Sequence, residues 1–318
     1  MKIKHNDKTA LAETAIAVDI GGSKLIAGIA DSSGKILCWQ KYYWKDLSSE
    51  GVIREIKAAV AALLKANPQY SPQVMGATIP GLADPGKGLW VESSFSGIAD
   101  LPFASIMKAE FGLPVLIEND VNACAAAERS FGCCRETDHF VWITVSNGIG
   151  GAIFANGSLY SGGRGNAGEI GHVVVEESPN ARACKCGHSG CAEMHASGPA
   201  LAKNYIGLGG MEIAGAPPTA KTIADLARAG DRTAIAAYEL EGLYLGRAIG
   251  AAVNLLNPQK VIIGGGVSQS FDLFRPSLEK TLETHVYRKA NPGFTVEPTA
   301  LGENAGLLGA AALCFGNS

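Results

Sequence analysis

No stretch of the 318-residue chain reaches the ~18 consecutive apolar residues that a membrane span needs. The longest apolar run, Ala305 to Phe315, is interrupted by Gly306 and Gly309 and reads as a buried terminal helix. Met1 to Glu13 carries Lys2, Lys4, Asp7, Lys8 and Glu13 and lacks the apolar segment of a secretory signal. Charge is scarce as well. Asp, Glu, Lys and Arg make up 18% of the chain, and 27 Lys+Arg against 30 Asp+Glu leave a net −3. That balance gives no global basic footprint for nucleic acid. A G-x-x-x-x-G-K-[ST] motif is missing, which excludes a P-loop protein. The 47% hydrophobic content, with so little net charge, excludes a disordered chain. The expectation is a cytoplasmic protein with neither a membrane nor a nucleic-acid partner.

Glycine is what the chain has in excess, 40 residues of 318, where a usual share is about 7%. It is not arranged in a G-x-y repeat, so it points to tight turns and close backbone approaches. Ala15 to Ile20, Leu25 to Ala30 and Lys35 to Tyr43 read as three strands of a meander, followed by a helix over Val52 to Asn67 and a strand over Val74 to Ile79. Phe103 to Phe111 and Val121 to Ser130 read as helices around a strand at Pro114 to Ile117. The pattern restarts at Phe140 to Val145 with a glycine-rich turn, a strand over Ala152 to Ala155 and the hairpin signal Asn156-Gly157. Two α/β halves that each open with a meander follow from this. Their predicted extents are 1–120, with the helix at 303–318 packing back on it, and 121–302. In the second half, Ala234 to Asn257 reads as a long helix whose Gly242, Gly246 and Gly250 form a stripe for close packing.

Three glycine turns follow apolar strands. The first is Asp19-Ile20-Gly21-Gly22-Ser23-Lys24, the second Ser146-Asn147-Gly148, and the third Gly264-Gly265-Gly266. Glycines at such places let backbone N–H groups approach phosphate oxygens; Asp19 could hold a Mg²⁺-bound water and Lys24 could neutralise phosphate charge. Together they suggest a nucleotide held between two domains. Gly163-Arg164-Gly165-Asn166-Ala167-Gly168 satisfies G-x-G-x-x-G, but strand-like sequence from Ile170 to Glu176 follows it instead of a helix, so a dinucleotide site is rejected. Of the eight cysteines, Cys184, Cys186 and Cys191 crowd into eight residues with Gly187 and Gly190, which suits tetrahedral zinc better than a disulfide framework. His172 and His188 are both candidates for the fourth ligand. Three thiolates and one imidazole leave no open position, which argues for a structural ion. Asn119-Asp120 lies between a strand and a helix, and Asp120 is either an N-cap or a general base at a strand end. Glu169, His172 and Glu193 flank the cysteines in sequence.

Taken in order, these segments resemble the ROK family (repressors, open reading frames and kinases) over nearly the whole chain, from Ala15 to about Phe315. The matching motifs are Asp19 to Lys24, the Gly76-to-Gly81 turn with Pro80-Gly81, Glu118-Asn119-Asp120-Val121-Asn122, Gly168-Glu169-Ile170-Gly171-His172, and the cysteine loop running to Glu193, with Ser197-Gly198 downstream. The resemblance implies two ribonuclease H-like (actin-like ATPase) domains with an active-site cleft between them. It implies transfer of the ATP γ-phosphoryl group to a hexose or N-acetylhexosamine, usually at the 6-hydroxyl. Asp120 would take the hydroxyl proton, Asn119 and Glu169 would bond sugar hydroxyls, Glu193 and His172 would contact the sugar's other end, and Gly81 would lie on the substrate side. His172 would be the fourth ligand of a structural Zn²⁺. ATP and Mg²⁺ would occupy the glycine turns, and the chain would form a homodimer.

The chain departs from the family pattern in three places. Ser146-Asn147-Gly148 stands where Gly-Thr-Gly is frequent, Ser94 stands near a position where many members have Asn, and Lys185 replaces a common glycine and is expected to point to solvent. Two competing functions are a ROK sugar-responsive regulator and a catalytically inactive sugar sensor. The regulator would need a helix-turn-helix module ahead of the first strand, where this sequence has fourteen residues before Ala15.

Overall fold

The computed structural model of the protein describes residues 13–93 and 95–315. The chain divides into two compact units, one taking in Met1–Ala123 with Gly306–Asn317 and the other Cys124–Ala305.

The first unit opens with β1 (Thr14–Ile20), β2 (Lys24–Asp31) and β3 (Ile36–Tyr43), an antiparallel meander. α1 (Ser49–Ala66) follows, capped by the Ser48 hydroxyl, which accepts the Gly51 N–H. Its Val52, Ile56, Val60 and Leu63 recur at helical spacing and are buried in the unit's core. β4 (Val74–Ile79) then runs parallel to β1. A small antiparallel sheet of β5 (Gly81–Asp84), β6 (Leu89–Ser93) and β7 (Ala99–Leu101) comes next, with Trp90 fully buried beneath it. α2 (Phe103–Phe111) leads to β8 (Val115–Asn119), parallel to β4, and α3 (Asp120–Ser130) starts directly at its end. The main sheet has the order β3-β2-β1-β4-β8. β1 lies at its centre and is covered on both faces, which is why Ala15 to Val18 read as consecutive apolar residues ahead of Asp19.

The second unit repeats this plan. β9 (Phe140–Val145), β10 (Ile149–Ala155) and β11 (Ser158–Leu159) form the meander. Helices α4 (Ala192–Ala196), α5 (Gly198–Gly207), α6 (Ala220–Arg228) and α7 (Arg232–Leu256) intervene before β12 (Lys260–Gly264). α8 (Phe271–His285) and β13 (Thr295–Pro298) complete it, with β12 and β13 parallel to β9 and its neighbour. The order β11-β10-β9-β12-β13 is that of the first sheet, a central strand with a meander on one side and two parallel strands on the other. The glycine stripe of α7 does the work its spacing suggests. A Cβ at Gly242 would sit 2.4 Å from the Phe274 carbonyl oxygen, and one at Gly246 2.7 Å from Thr281 Cβ, so α7 and α8 pack backbone to backbone.

Ile170 to Glu176 is not a strand. Ile170–His172 forms one 3₁₀ turn, and the segment beyond contributes a lone bridge from Val174 to Cys191. The backbone here closes against β10 at glycines: Cβ atoms at Gly151 and Gly168 would collide with each other's backbone, and one at Gly171 with the Ile149 carbonyl. The G-x-G-x-x-G match therefore ends on a glycine needed for that approach.

The chain returns to the first unit as α9 (Ala305–Phe315), which crosses β4 where Gly76 leaves no room for a side chain. No helix among the described residues is long and apolar enough to cross a membrane. Because a Cβ at Gly76 would lie 1.9 Å from the Ala310 carbonyl oxygen, Gly76→Ala must push α9 off the sheet. Thermal or urea unfolding should register a loss of about 2–4 kcal/mol, and an unchanged midpoint would show that α9 packs elsewhere.

Candidate active-site residues

In the first unit the candidate residues gather at the carboxyl ends of the parallel strands, where open α/β sheets bind ligands. Register brings them there: Asp19 of β1 is opposite Thr78 of β4, and Ile79 is opposite Asn119 of β8. The Thr78 hydroxyl donates to Asp19 Oδ1 at 3.0 Å and accepts the Ile20 N–H at 3.1 Å. α9 passes over this carboxylate at Gly306, where a Cβ would be 2.6 Å from it. Burial raises the Asp19 carboxyl above its usual range, against the Thr78 hydrogen bond and the Lys24 charge.

The turn after β1 is closed by the Gly21 N–H bonding to the Lys24 carbonyl at 2.9 Å. Trp44 Nε1–H donates to the Gly21 carbonyl at 2.8 Å, and Phe95, stacked on Trp44 at 5.7 Å, covers Gly22. Trp44, Phe95 and Thr78 carry no motif signal, and only the folded strands reveal them as supports. Ser94, beside Phe95, lies outside the described residues.

Asp120 is the first residue of α3, but Asn119 carries most of the capping. Asn119 Oδ1 accepts the Val121 N–H at 2.9 Å and, more weakly, the Asn122 N–H at 3.4 Å, while Asp120 Oδ1 shares the Val121 donor at 3.0 Å. Asn119 Nδ2 reaches across to the Gly81 carbonyl at 2.8 Å and ties the Pro80-Gly81 turn to the helix start. Burial, and then the nearby Asp19 charge, push the Asp120 carboxyl up to about 6. That is a value suited to a general base near neutral pH.

In the second unit, the Ser146 N–H bonds to the Gly148 carbonyl at 2.9 Å and closes the turn between β9 and β10. The turn after β12 lies alongside: Gly265 has φ of 86°, and a Cβ there would be 2.4 Å from the Val145 carbonyl oxygen. The Ser146 carbonyl accepts the Gly198 N–H at 2.8 Å, so the start of α5 joins the same cluster. The second and third glycine turns and Ser197-Gly198 are thus one structural unit.

The cysteine loop folds through its own backbone, with the Cys184 N–H donating to the His188 carbonyl at 2.7 Å and the Gly190 N–H to the Arg182 carbonyl at 2.9 Å. One donor atom each from His172, Cys184, Cys186 and Cys191 lies within 4.8 Å of the others. His172 Nδ1 is 3.6 Å from Cys184 Sγ, and its Nε2 is 3.8 Å from Glu169 Oε2. His188 is exposed, and its carbonyl rather than its ring serves the loop. Three thiols and one imidazole nitrogen, two of the cysteines buried, match the soft donor set and tetrahedral number of zinc.

The loop is braced from below by a network absent from any motif. The neutral ring of buried His195 accepts the Arg182 N–H on Nε2 at 3.1 Å, and Arg182 donates to the Met194 carbonyl at 3.0 Å and to Asn204 Oδ1 at 2.6 Å. Glu193 accepts the Ile149 N–H at 3.1 Å. Lys185 is exposed, as expected of a side chain that points to solvent, and its ammonium also comes within 3.6 Å of Glu193.

The ROK family model matches residues 15–316. The chain belongs to the ROK family. A glucokinase of Thermotoga maritima is 34% identical over 309 residues, covering 94% of this chain and 96% of its own. The xylose repressor of Bacillus spizizenii is 28% identical over 301 residues, covering 94% of this chain and 76% of its own. Among solved structures, a ROK family glucokinase from Streptomyces griseus in complex with glucose and AMPPNP superposes with a TM-score of 0.80 at 30% identity, covering 94% of this chain and 98% of that one. A ROK family transcriptional regulator, a homolog of the E. coli MLC protein, superposes with a TM-score of 0.86 at 25% identity, covering 95% and 78%. This ROK chain therefore has the two-domain actin-like ATPase fold of the family's kinase structures, and its relatives include both kinases and regulators.

The raised Asp120 carboxyl has a consequence for stability. Between its ordinary 3.8 and about 6, the folded state holds a proton that the unfolded state has released, so stability falls as pH rises through that window. Above it the whole penalty, up to about 3 kcal/mol, is present. Asp120→Asn should therefore raise the unfolding temperature at pH 8 and do so much less at pH 4. Equal shifts at both pH values would contradict the raised carboxyl.

Proposed function

We propose that this ROK family chain is an ATP-dependent sugar kinase. It transfers the γ-phosphoryl group to a hydroxyl, the 6-hydroxyl by resemblance, of a hexose or N-acetylhexosamine. The observation that carries this reading is Asp120. It stands at the carboxyl end of β8, is relieved of most of the capping by Asn119, and is held near pH 6, where it is ionised at neutral pH and still basic enough to accept a proton. In the reaction the sugar oxygen attacks the γ-phosphorus, the bond from that phosphorus to the bridging oxygen breaks, ADP leaves, and the hydroxyl proton passes to Asp120.

Asn119, Glu169, Glu193 and His172 orient the sugar in this reading. Backbone N–H groups of the three glycine turns, with Lys24, hold the phosphates. Burial raises the Asp19 carboxyl, and the Asp19 charge adds to burial in raising Asp120, so this end of β1 would welcome a cation and fits Mg²⁺ at Asp19. When bound, that ion would neutralise phosphate charge. The Cys/His cluster fits a Zn²⁺ that fixes the ring of His172 and takes no part in the chemistry. The chain would act as a homodimer in the cytoplasm.

A second reading is kept by the regulator and repressor relatives, which cover as much of this chain as the kinases do. It is disfavoured on physical grounds. A protein that only senses sugar has no use for a carboxylate tuned to accept a proton or for a phosphate turn braced by Trp44.

ADP release measured over a panel of hexoses and N-acetylhexosamines decides between the two. The expected result is turnover on at least one sugar, with kcat/KM falling tenfold per pH unit below about 6. Asp120→Asn should lower kcat by about 10²–10⁴-fold while sugar binding persists. No turnover on any sugar, together with salt-dependent binding to a specific operator DNA, would establish the regulator. Elemental analysis should find one zinc per chain, and its removal by chelation should lower the unfolding temperature and weaken sugar binding. Unchanged sugar affinity after proven metal loss would separate the cluster from the sugar site.

A further inference from the structure

Glu193 meets two groups of its own chain among the described residues. It is the second residue of α4, which begins immediately after the thiol of Cys191. Its Oε2 accepts the Ile149 N–H at 3.1 Å, at the exit of the Ser146–Gly148 turn. Its Oε1 faces the Lys185 ammonium at 3.6 Å, and Glu193 is 15% exposed where Lys185 is 79% exposed. The fit to the turn is close. A Cβ at Gly148 would lie 2.4 Å from Glu193 Oε2, so the carboxylate occupies the space that glycine leaves. The turn is otherwise closed by one bond across its mouth, the Ser146 N–H to the Gly148 carbonyl, and by the Gly198 N–H on the Ser146 carbonyl.

We propose that Glu193 is a positioning residue for the Ser146–Gly148 turn, linking the nucleotide-binding half of the unit to the Cys/His cluster. The inference rests on the kinase reading, in which this turn holds phosphate. A bond from a backbone N–H to a carboxylate largely shielded from solvent is among the stronger kinds. It fixes the backbone just where the turn must present its own N–H groups to an anion, and donors already in place bind without paying for their ordering. The chain of contact is short: the metal ligand Cys191, the first turn of α4, the Glu193 carboxylate, the Ile149 N–H. Lys185 steadies the second oxygen, a part that the glycine common at this position in the family could not play. A carboxylate oxygen accepts more than one hydrogen bond, so contact with a sugar hydroxyl remains open to the same group.

The test is the affinity for ADP, measured by calorimetry on the full, metal-replete chain in the absence of sugar. Glu193→Gln keeps a carbonyl oxygen within reach of the Ile149 N–H. Glu193→Asp is one methylene too short, and Glu193→Ala has no acceptor. The expected pattern is ADP binding within about twofold of the original for Gln and about 5- to 10-fold weaker for Asp and Ala. Chelation should weaken ADP binding to the unsubstituted chain by a similar factor and add little to the loss in Glu193→Ala, because both act through one link. Sugar affinity should fall in all three variants, which separates the two roles of the residue. Equal ADP affinity across the series would overturn the inference, and so would a Gln variant as weak as Ala. If the unsubstituted chain binds no ADP at all, the kinase reading itself fails and this inference falls with it.

Discussion

Two carboxylates brought into each other's field by strand register are the constraint around which the first unit is organised. Asp19 and Asp120 belong to strands β1 and β8 or their ends, and β4 between them sets the spacing. Neither can ionise as freely as it would alone, because each is buried and Asp120 also feels the charge of Asp19. Much of the surrounding structure answers to this. Thr78 donates to Asp19, Gly306 of α9 leaves its carboxylate room, and Asn119 takes over most of the helix cap so that Asp120 is not consumed by it. The arrangement costs stability, and in the kinase reading it lies where a proton acceptor and a cation site would be needed.

The second unit solves a different problem, that of holding long irregular segments still. The residues from Glu169 to Cys191 have almost no regular structure, yet they carry most of the sugar-side and metal-side candidates. Order comes from three sources. Backbone closes against β10 at glycines, His195 and Arg182 brace the loop through Asn204, and the four converging donors offer a metal the shape of its site. The neutral ring of His195 accepts the Arg182 backbone N–H on Nε2. His172 combines with the cysteines through one nitrogen and faces Glu169 with the other. That division of one imidazole is how a metal can orient a polar site without taking part in its chemistry.

The regular framework was legible from the residues because its signals are local. Buried central strands such as β1 and β9 show as apolar runs, α1 and α7 show as helical spacing with recognisable ends, and the two meanders show as repeated strand-and-turn patterns. The β5–β7 sheet was not legible: its strands are three to five residues long and sit among turn-forming residues. The stretch from Ile170 misled because its three consecutive valines, Val173 to Val175, carry strand propensity, yet the folded segment makes one 3₁₀ turn and an isolated bridge. Spacing alone left His172 and His188 as equal candidates for the metal. His172 lies twelve positions ahead of Cys184, and only the folded backbone shows which ring returns to the thiols.

What the sequence by itself determined is the set of parts: two halves of like plan, three glycine turns, a cysteine cluster, and Asp120 at a strand end. Each is written in the spacing of neighbouring residues, where chain geometry leaves few alternatives. The tertiary structure decided the partners. Trp44 on Gly21, Asn119 on Gly81, His195 on Arg182 and Glu193 on Ile149 are all contacts between residues 13 to 44 positions apart. Such contacts depend on how strands align and where loops return, and no local pattern encodes that. The side chains that make the candidate site rigid were therefore hidden in the sequence, while those that would do its chemistry stood in plain view.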